Sequence, residues 1–429
     1  VAQIHFNHIF IGAPVNHAVS AWTHPADHQS VDLAKPAYWQ HLARTLERGC
    51  FDGIFFADTF SVPDDHAEET IAYGVCPRID PFMLIPLMAD VTKHLGFAVT
   101  LSTVGTPPHL AVRRIGTIDN LSGGRVAWNV VTSYLESDFK AVGLERPLHD
   151  ARYDQADEYI EICYRLWDAF PREAMVKDRA RGVYIDTSKI RKVEYKGKYY
   201  NCEAWPVMVC SPQGRPLIFQ AGASGRGMQY AATHADAVYA LQPPAAMNGY
   251  VAKVREAMAL QGRADPKVYF GIQPYVGSTE EEARSKLRDL EDKVPLGAAL
   301  SRLGGLLGAQ FKEEDLDEPF QPRNSQASQG WVAAVQRWDS TRPPTVREMA
   351  LHVAISPLTP QIVGTPEQVA DRIEAWWRDT GCYGFAISPH VTPGSTEDFV
   401  DQVVPILQKR GLMRTEYAGT TYRENLEQN

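Results

Sequence analysis

Short apolar runs recur along this chain, and most are followed by a stretch in which apolar positions fall every three or four residues. The first candidate strand spans 4–10. Trp39, Leu42 and Leu46 then recur with helical spacing over 38–48. Residues 53–57 form a second apolar run that ends at Asp58, and Asp80 with Pro81 opens a helix over 82–91, the aspartate as N-cap and the proline in the first turn. A third run over 95–101 ends in Ser102 and Thr103. A helix over 110–121 leads through Ser122, Gly123 and Gly124 to a fourth strand over 126–131. An amphipathic helix over 153–170 places Ile160, Cys163, Leu166 and Trp167 on one face. Four further strands follow, over 216–220, 237–241, 268–276 and 384–388. Helices run to Ala235 and over 245–260, 280–293, 366–379 (with Thr365 as N-cap and Pro366 at the first position) and 397–410.

Two stretches break the alternation. Residues 171–214 read as a small separate sheet around a turn at Lys196 and Gly197. Residues 295–345 mix glycine, glutamine and acidic residues with weak helical patterning, and the tail after Gly411 is polar. Eight strands alternating with helices predict a parallel sheet with right-handed crossovers. Closure as an α/β (β/α)8 TIM barrel follows, one domain over 1–429 with insertions at about 171–214 and 295–345. An open doubly wound sheet is the alternative, but no GxGxxG follows the first strand.

One residue disturbs the pattern. The run LSGGRVAWNVVTS, 121–133, is apolar over 126–131 except for Asn129. A buried amide without a partner costs about 1–3 kcal/mol, so Asn129 either bonds neighbouring backbone or faces a ligand. Active sites of such barrels sit at the C-terminal strand ends. Topology alone therefore nominates His17, His24, Asp58, Ser102, Thr103, Asn129, Ser133, Gly222, Ser224, Gly225 and Ser388.

Composition narrows the chemistry. With 52 acidic and 43 basic residues the net charge is −9, and no basic run suggests a nucleic-acid groove. The six cysteines form no CxxC pair, which reads as reduced thiols and no metal site. No stretch of about 18 apolar residues occurs and the first residues lack a signal-peptide pattern, so a soluble, cytoplasmic protein is expected. There is no HExxH and no nucleophile elbow, so chemistry is expected from a cofactor that the protein positions. AGASGRG, 221–227, fits either a phosphate held at a helix N-terminus or a plain glycine-rich turn. HDARYDQADEY, 149–159, places His149, Arg152 and Tyr153 at a helix start, where they could bond a phosphate or cap the surface.

Six segments in order, AWTHP (21–25), HLARTLERGCFDGIFFAD (41–58), TIDNLSGGRVAWNVVTS (117–133), HDARYDQADEY (149–159), SPQGRPLIFQAGASGRG (211–227) and DFVDQVVPILQKRG (398–411), resemble one group of flavin monooxygenases. The group comprises nitrilotriacetate monooxygenase component A, dibenzothiophene-sulfone monooxygenase and long-chain alkane monooxygenase, within the bacterial luciferase-like superfamily. The resemblance implies a luciferase-like barrel that takes reduced FMN as co-substrate from a separate NAD(P)H:flavin reductase. With O2 it would oxidise a small organic substrate through a flavin peroxide. It implies Asp58, Thr103, Asn129 and Ser133 along the flavin ring or ribityl chain, and His149, Tyr153, Ser224 and Gly225 near the FMN phosphate. His17 is implied as a catalytic, substrate-side histidine, and a homodimer or homotetramer is expected. Two departures stand out. The loop DTFSVPDDHAEET (58–70) lacks an aromatic-rich run after the aspartate, and Cys210 stands where a basic residue is expected. Aromatic and apolar candidates near the pocket favour a hydrophobic or heteroaromatic substrate. The alternatives are a non-catalytic flavin-storage relative and a deazaflavin-dependent oxidoreductase, whose members lack the WNVVTS and HDARY segments.

Overall fold

The computed structural model describes residues 2–428 except 63, 65–66, 223–224, 265, 308–309, 322–343 and 357. The apolar runs form strands in the expected order: β1 (His5–Phe10), β2 (Gly53–Phe56), β3 (Gly96–Ser102), β4 (Val126–Val131), β7 (Leu217–Gln220), β8 (Ala237–Ala240), β9 (Lys267–Val276) and β11 (Gly384–Ile387). Between β4 and β7 lies an antiparallel hairpin, β5 (Val193–Lys196) and β6 (Asn201–Ala204), the small sheet expected in the first insertion. The eight long-range strands pair in parallel from β1 through β4, β7 and β8 to β9, which returns through β11 to β1 and closes a TIM barrel. A short additional strand, β10 (Gln361–Gly364), pairs with Gln273–Val276, the half of β9 beyond its contact with β11.

Burial follows the period-two rule of strands. Ala127 and Asn129 of β4 point into the barrel with Ala98 and Thr100 of β3. Val126, Trp128 and Val130 point outward into the larger core under the helices. That core takes the apolar stripes of the helices Pro36–Arg48, Pro108–Leu121, His149–Asp168 and Pro366–Thr380. Local signals set their ends. Asp80 accepts from the Phe82 N–H at 3.0 Å, and Thr365 with Gln368 forms a capping box ahead of Pro366.

Two parts differ from expectation. Residues 296–307, read as weakly patterned, form the helix Leu296–Leu307, which packs on Val346–Ile355 in a separate apolar cluster. Gly304 and Gly305 dilute the hydrophobic signal, yet Ala299 and Leu303 are fully buried. The polar-looking tail instead plugs the N-terminal end of the barrel. Tyr422 is fully buried and donates from its hydroxyl to Asn7 Oδ1 at 2.8 Å. A Cβ on Gly96 would stand 2.6 Å from the Tyr422 ring, so the glycine at that strand start makes room for the plug. Beside it Asp52 accepts from the Tyr269 hydroxyl at 2.7 Å, lies 2.9 Å from His5 Nδ1 and pairs with Arg414. That end is structural, and the opposite end is free for chemistry.

Candidate active site

Two adjoining cavities open at the C-terminal ends of the strands. The larger, about 560 Å³, is bounded by Phe55, Asp58, Asn129, Gln220 and Tyr239, by the Ser133 turn, and by His149, Arg152 and Tyr153. Its size falls within the range of about 300–1,000 Å³ of cofactor pockets. The smaller, about 250 Å³, is lined by Ile9, Ile11, His17, Arg78, Leu241 and Arg302 among others. Ala57, Asp58, Thr59, Tyr134 and Tyr239 border both.

Asn129 sits on the inner wall of the larger cavity, and its hydrogen bonds can be assigned. Thr100, its register partner on β3, donates its hydroxyl proton to the Phe56 carbonyl at 2.6 Å. The Thr100 oxygen can therefore only accept from Asn129, whose Nδ2 lies 2.8 Å away. That leaves Asn129 Oδ1 buried and without a partner among the described residues. The same holds for Gln220 Oε1 at the end of β7 and for Arg152 Nε on the far wall. Gly222 lies against that glutamine: a Cβ there would stand 2.4 Å from Gln220 Oε1. Ser133 adopts a left-handed backbone, φ 52°, unusual for a residue with a side chain. Its Oγ is 2.9 Å from Ser102 Oγ and its carbonyl accepts from Arg152. Backbone geometry thus aims the end of β4 at the cavity. His149 Nδ1 lies 2.7 Å from Asp150 Oδ1, within hydrogen-bond distance. Arg226, the cation within AGASGRG, is taken up by Asp154 and Asp157 and leaves the mouth to Arg152 and His149.

His17 lies in the smaller cavity, on a long loop that Asn16 holds by accepting from the Ile11 N–H at 3.0 Å and donating to the Ile9 carbonyl at 3.3 Å. Both its ring nitrogens are buried without partners among the described residues. Burial, reinforced by the nearby Arg302 cation, pushes its pKa down to about 3, so the imidazole is neutral at any ordinary pH. Asp58 stands at the junction of the two cavities, 3.6 Å from Arg78, and burial pushes its carboxyl up to about 6 against that cation's pull.

The expected residues are therefore largely gathered: Asp58, Asn129, Ser133, His149 and Tyr153 line the larger cavity and His17 the smaller. Thr103 is buried one residue beyond Ser102, which is the one that lines the wall, and the Thr103 N–H donates to the Val131 carbonyl at 3.0 Å. Gly225 opens the helix Gly225–His234, while Ala221 and Gly222 border the cavity. Ser224 lies outside the described residues. Cys210 is remote, with its thiol on the Trp167 carbonyl. Gln220, Arg78 and Arg302 were not anticipated. Gln220 ends an apolar strand as Asp58 does, and that pattern could have found it. Among the described residues no cluster of His, Cys, Asp or Glu could hold a metal ion, and no helix is long and apolar enough to cross a membrane.

Comparison with known proteins accords with this geometry. The family model for luciferase-like monooxygenase matches residues 16–384. The chain belongs to that family. As a member it is an oxidoreductase of the monooxygenase class. It is 36% identical to dimethyl-sulfide monooxygenase of Hyphomicrobium sulfonivorans, over 95% of this chain and 87% of that one. It is 37% identical to dibenzothiophene-sulfone monooxygenase of Rhodococcus erythropolis strain XP, over 99% and 96%. Among solved structures, that of DmoA from Hyphomicrobium sulfonivorans matches with a TM-score of 0.92 at 35% identity, covering 99% of this chain and 92% of that one. Riboflavin lyase RcaE, solved with modified FMN and riboflavin, matches at 0.89 and 29% identity, covering 100% and 96%.

Proposed function

We propose that this family member is the oxygenase component of a two-component system, using reduced FMN made by a separate NAD(P)H:flavin reductase and O2 to oxidise a small organic substrate. The observation that carries the reading is the pair of unsatisfied buried acceptors, Asn129 Oδ1 and Gln220 Oε1, on the wall of the larger cavity. A flavin ring presents N–H donors and an FMN tail presents a phosphate, and the donor set fits both. The two amide oxygens would accept from the ring. Ser133, His149, Arg152 and Tyr153 would hold the tail, with Thr103, Ser224 and Gly225 as the family pattern adds them. Bound reduced FMN supplies two electrons, so that one atom of O2 enters the substrate and the other leaves as water.

The chain's own part is placement and exclusion. Phe55 and Tyr239, with ring centroids 5.2 Å apart, back the junction with apolar surface. Neutral His17 offers one N–H donor and one acceptor to whatever occupies the smaller cavity, without bringing a charge. Asp58, bordering both spaces, is positioned to hold a proton at their boundary. The test is purified protein with FMN, a flavin reductase, NADH and 18O2 against a substrate panel. One labelled oxygen per product supports the proposal, and NADH consumption that yields only hydrogen peroxide across the panel counts against it.

A further inference from the structure

The smaller cavity is mostly apolar, with walls from Ile9, Ile11, Val75, Leu135, Leu241 and Leu306, and this agrees with an expectation of hydrophobic substrates. It also contains something a hydrocarbon would not use. Arg302, half-buried on the helix Leu296–Leu307, lines the cavity, and its Nε is buried with no hydrogen-bond partner among the described residues. No ion pair satisfies its guanidinium among the described residues. Its charged and titratable neighbours are Arg78, His17 and Tyr134.

Arg78 does not relieve it. That second guanidinium is committed to Thr59 Oγ1 at 2.6 Å, to the Thr59 and Val75 carbonyls, and to Asp58 at 3.6 Å. The single carboxylate lining the space is thus already opposed by one arginine, and the second leaves a surplus positive charge. Burial and the repulsion from Arg78 push Arg302 down to about 10, yet it remains charged at neutral pH. Buried charges are otherwise paired, because removing one from water without a counter-charge is costly. A half-buried arginine that lines a cavity, with its Nε buried and unpartnered among the described residues, is suited to an anion, and its planar fork matches a carboxylate or sulfonate.

We propose that the smaller cavity selects substrates bearing one anionic group, a carboxylate or sulfonate, which pairs with Arg302 while an apolar body lies against Ile9, Ile11 and Leu306. The atom to be oxidised then points past Asp58 and Tyr239 into the larger cavity. Only that last point rests on the flavin reading, since the pairing needs no cofactor.

The test uses three probes of one shape class, hexanoate, hexane-1-sulfonate and uncharged hexanamide, titrated calorimetrically into flavin-free and FMN-saturated full-length protein. Either anion is expected to bind at least about tenfold more tightly than the amide, a difference of ~1.4 kcal/mol. Arg302→Met should erase that preference, leave FMN affinity within about twofold, and hold or raise the melting temperature, because it removes an uncompensated charge. Arg302→Lys should keep most of the preference. Equal binding of the three probes, or no saturable binding of either anion, overturns the proposal. A lower melting temperature for Arg302→Met also overturns it, since it would mean that the cation is satisfied inside the protein. If FMN itself does not bind, the flavin reading fails, and the flavin-free titration still decides for or against Arg302.

Discussion

Replacing Asn129 by leucine separates a ligand-facing residue from a structural one. In the flavin-free protein its Oδ1 is a buried acceptor without a partner among the described residues, a defect of about 1–3 kcal/mol that leucine of similar shape removes. The substitution also removes the 2.8 Å donation from Nδ2 to Thr100, worth about 0.5–1.5 kcal/mol. Thr100 loses little more, because its own proton still goes to the Phe56 carbonyl. Asn129→Leu should therefore leave the flavin-free protein unchanged or up to about 2 kcal/mol more stable. FMN affinity should move the other way. One hydrogen bond to the ring is gone and its donor faces an apolar wall, a loss of about 1–2 kcal/mol or five- to thirtyfold. Urea unfolding followed by tryptophan fluorescence gives the first number, and quenching of flavin fluorescence on titration gives the second. Loss of stability with FMN affinity intact would refute the reasoning and make Asn129 a bridge between β3 and β4.

Asp58→Asn tests the junction through pH. With the native carboxyl raised to about 6 from an ordinary 3.8, the folded state holds a proton that the unfolded state releases, so this group's stability contribution falls as pH rises through 3.8 to 6. Between pH 5 and 8 that amounts to roughly 1.4 kcal/mol, so the variant should gain about that much more over wild type at pH 8 than at pH 5. A gain independent of pH would contradict the assignment. His17, depressed to about 3, should show neutral-imidazole NMR shifts from pH 8 down to pH 5, whereas titration near 6.5 would place it in solvent. Tyr422→Ala should destabilise the barrel by about 3–5 kcal/mol in urea unfolding, with FMN affinity unchanged in the folded protein.

How much of this was legible in the sequence depended on where each residue gets its meaning. Most of the eight barrel strands are visible because they are apolar along most of their length, as strands buried on both faces are, although β1 carries His5, Asn7 and His8. Asn129 is visible as the one polar residue in the run 126–131, and Asp58 because it ends another run. The strand β10 is only four residues long with alternating burial, too short to stand out between two helices. The plug is invisible because Tyr422 lies in a polar context, and only the barrel mouth it fills makes it core. Arg302 is the instructive case. A single arginine in a helix reads as solvent-facing, and nothing local distinguishes it. Its proposed role appears only when the helix Leu296–Leu307 is packed against the barrel and the cation meets no counter-charge among the described residues.

The central claim is that the larger cavity holds reduced FMN. The most direct measurement is an anaerobic titration of the protein with photoreduced FMN, oxidised FMN and the deazaflavin in parallel. Saturation by one reduced FMN per chain is expected, bound more tightly than the other two, with the affinity weakened in Asn129→Leu. Tighter binding of oxidised FMN without turnover, or of the deazaflavin, would contradict it.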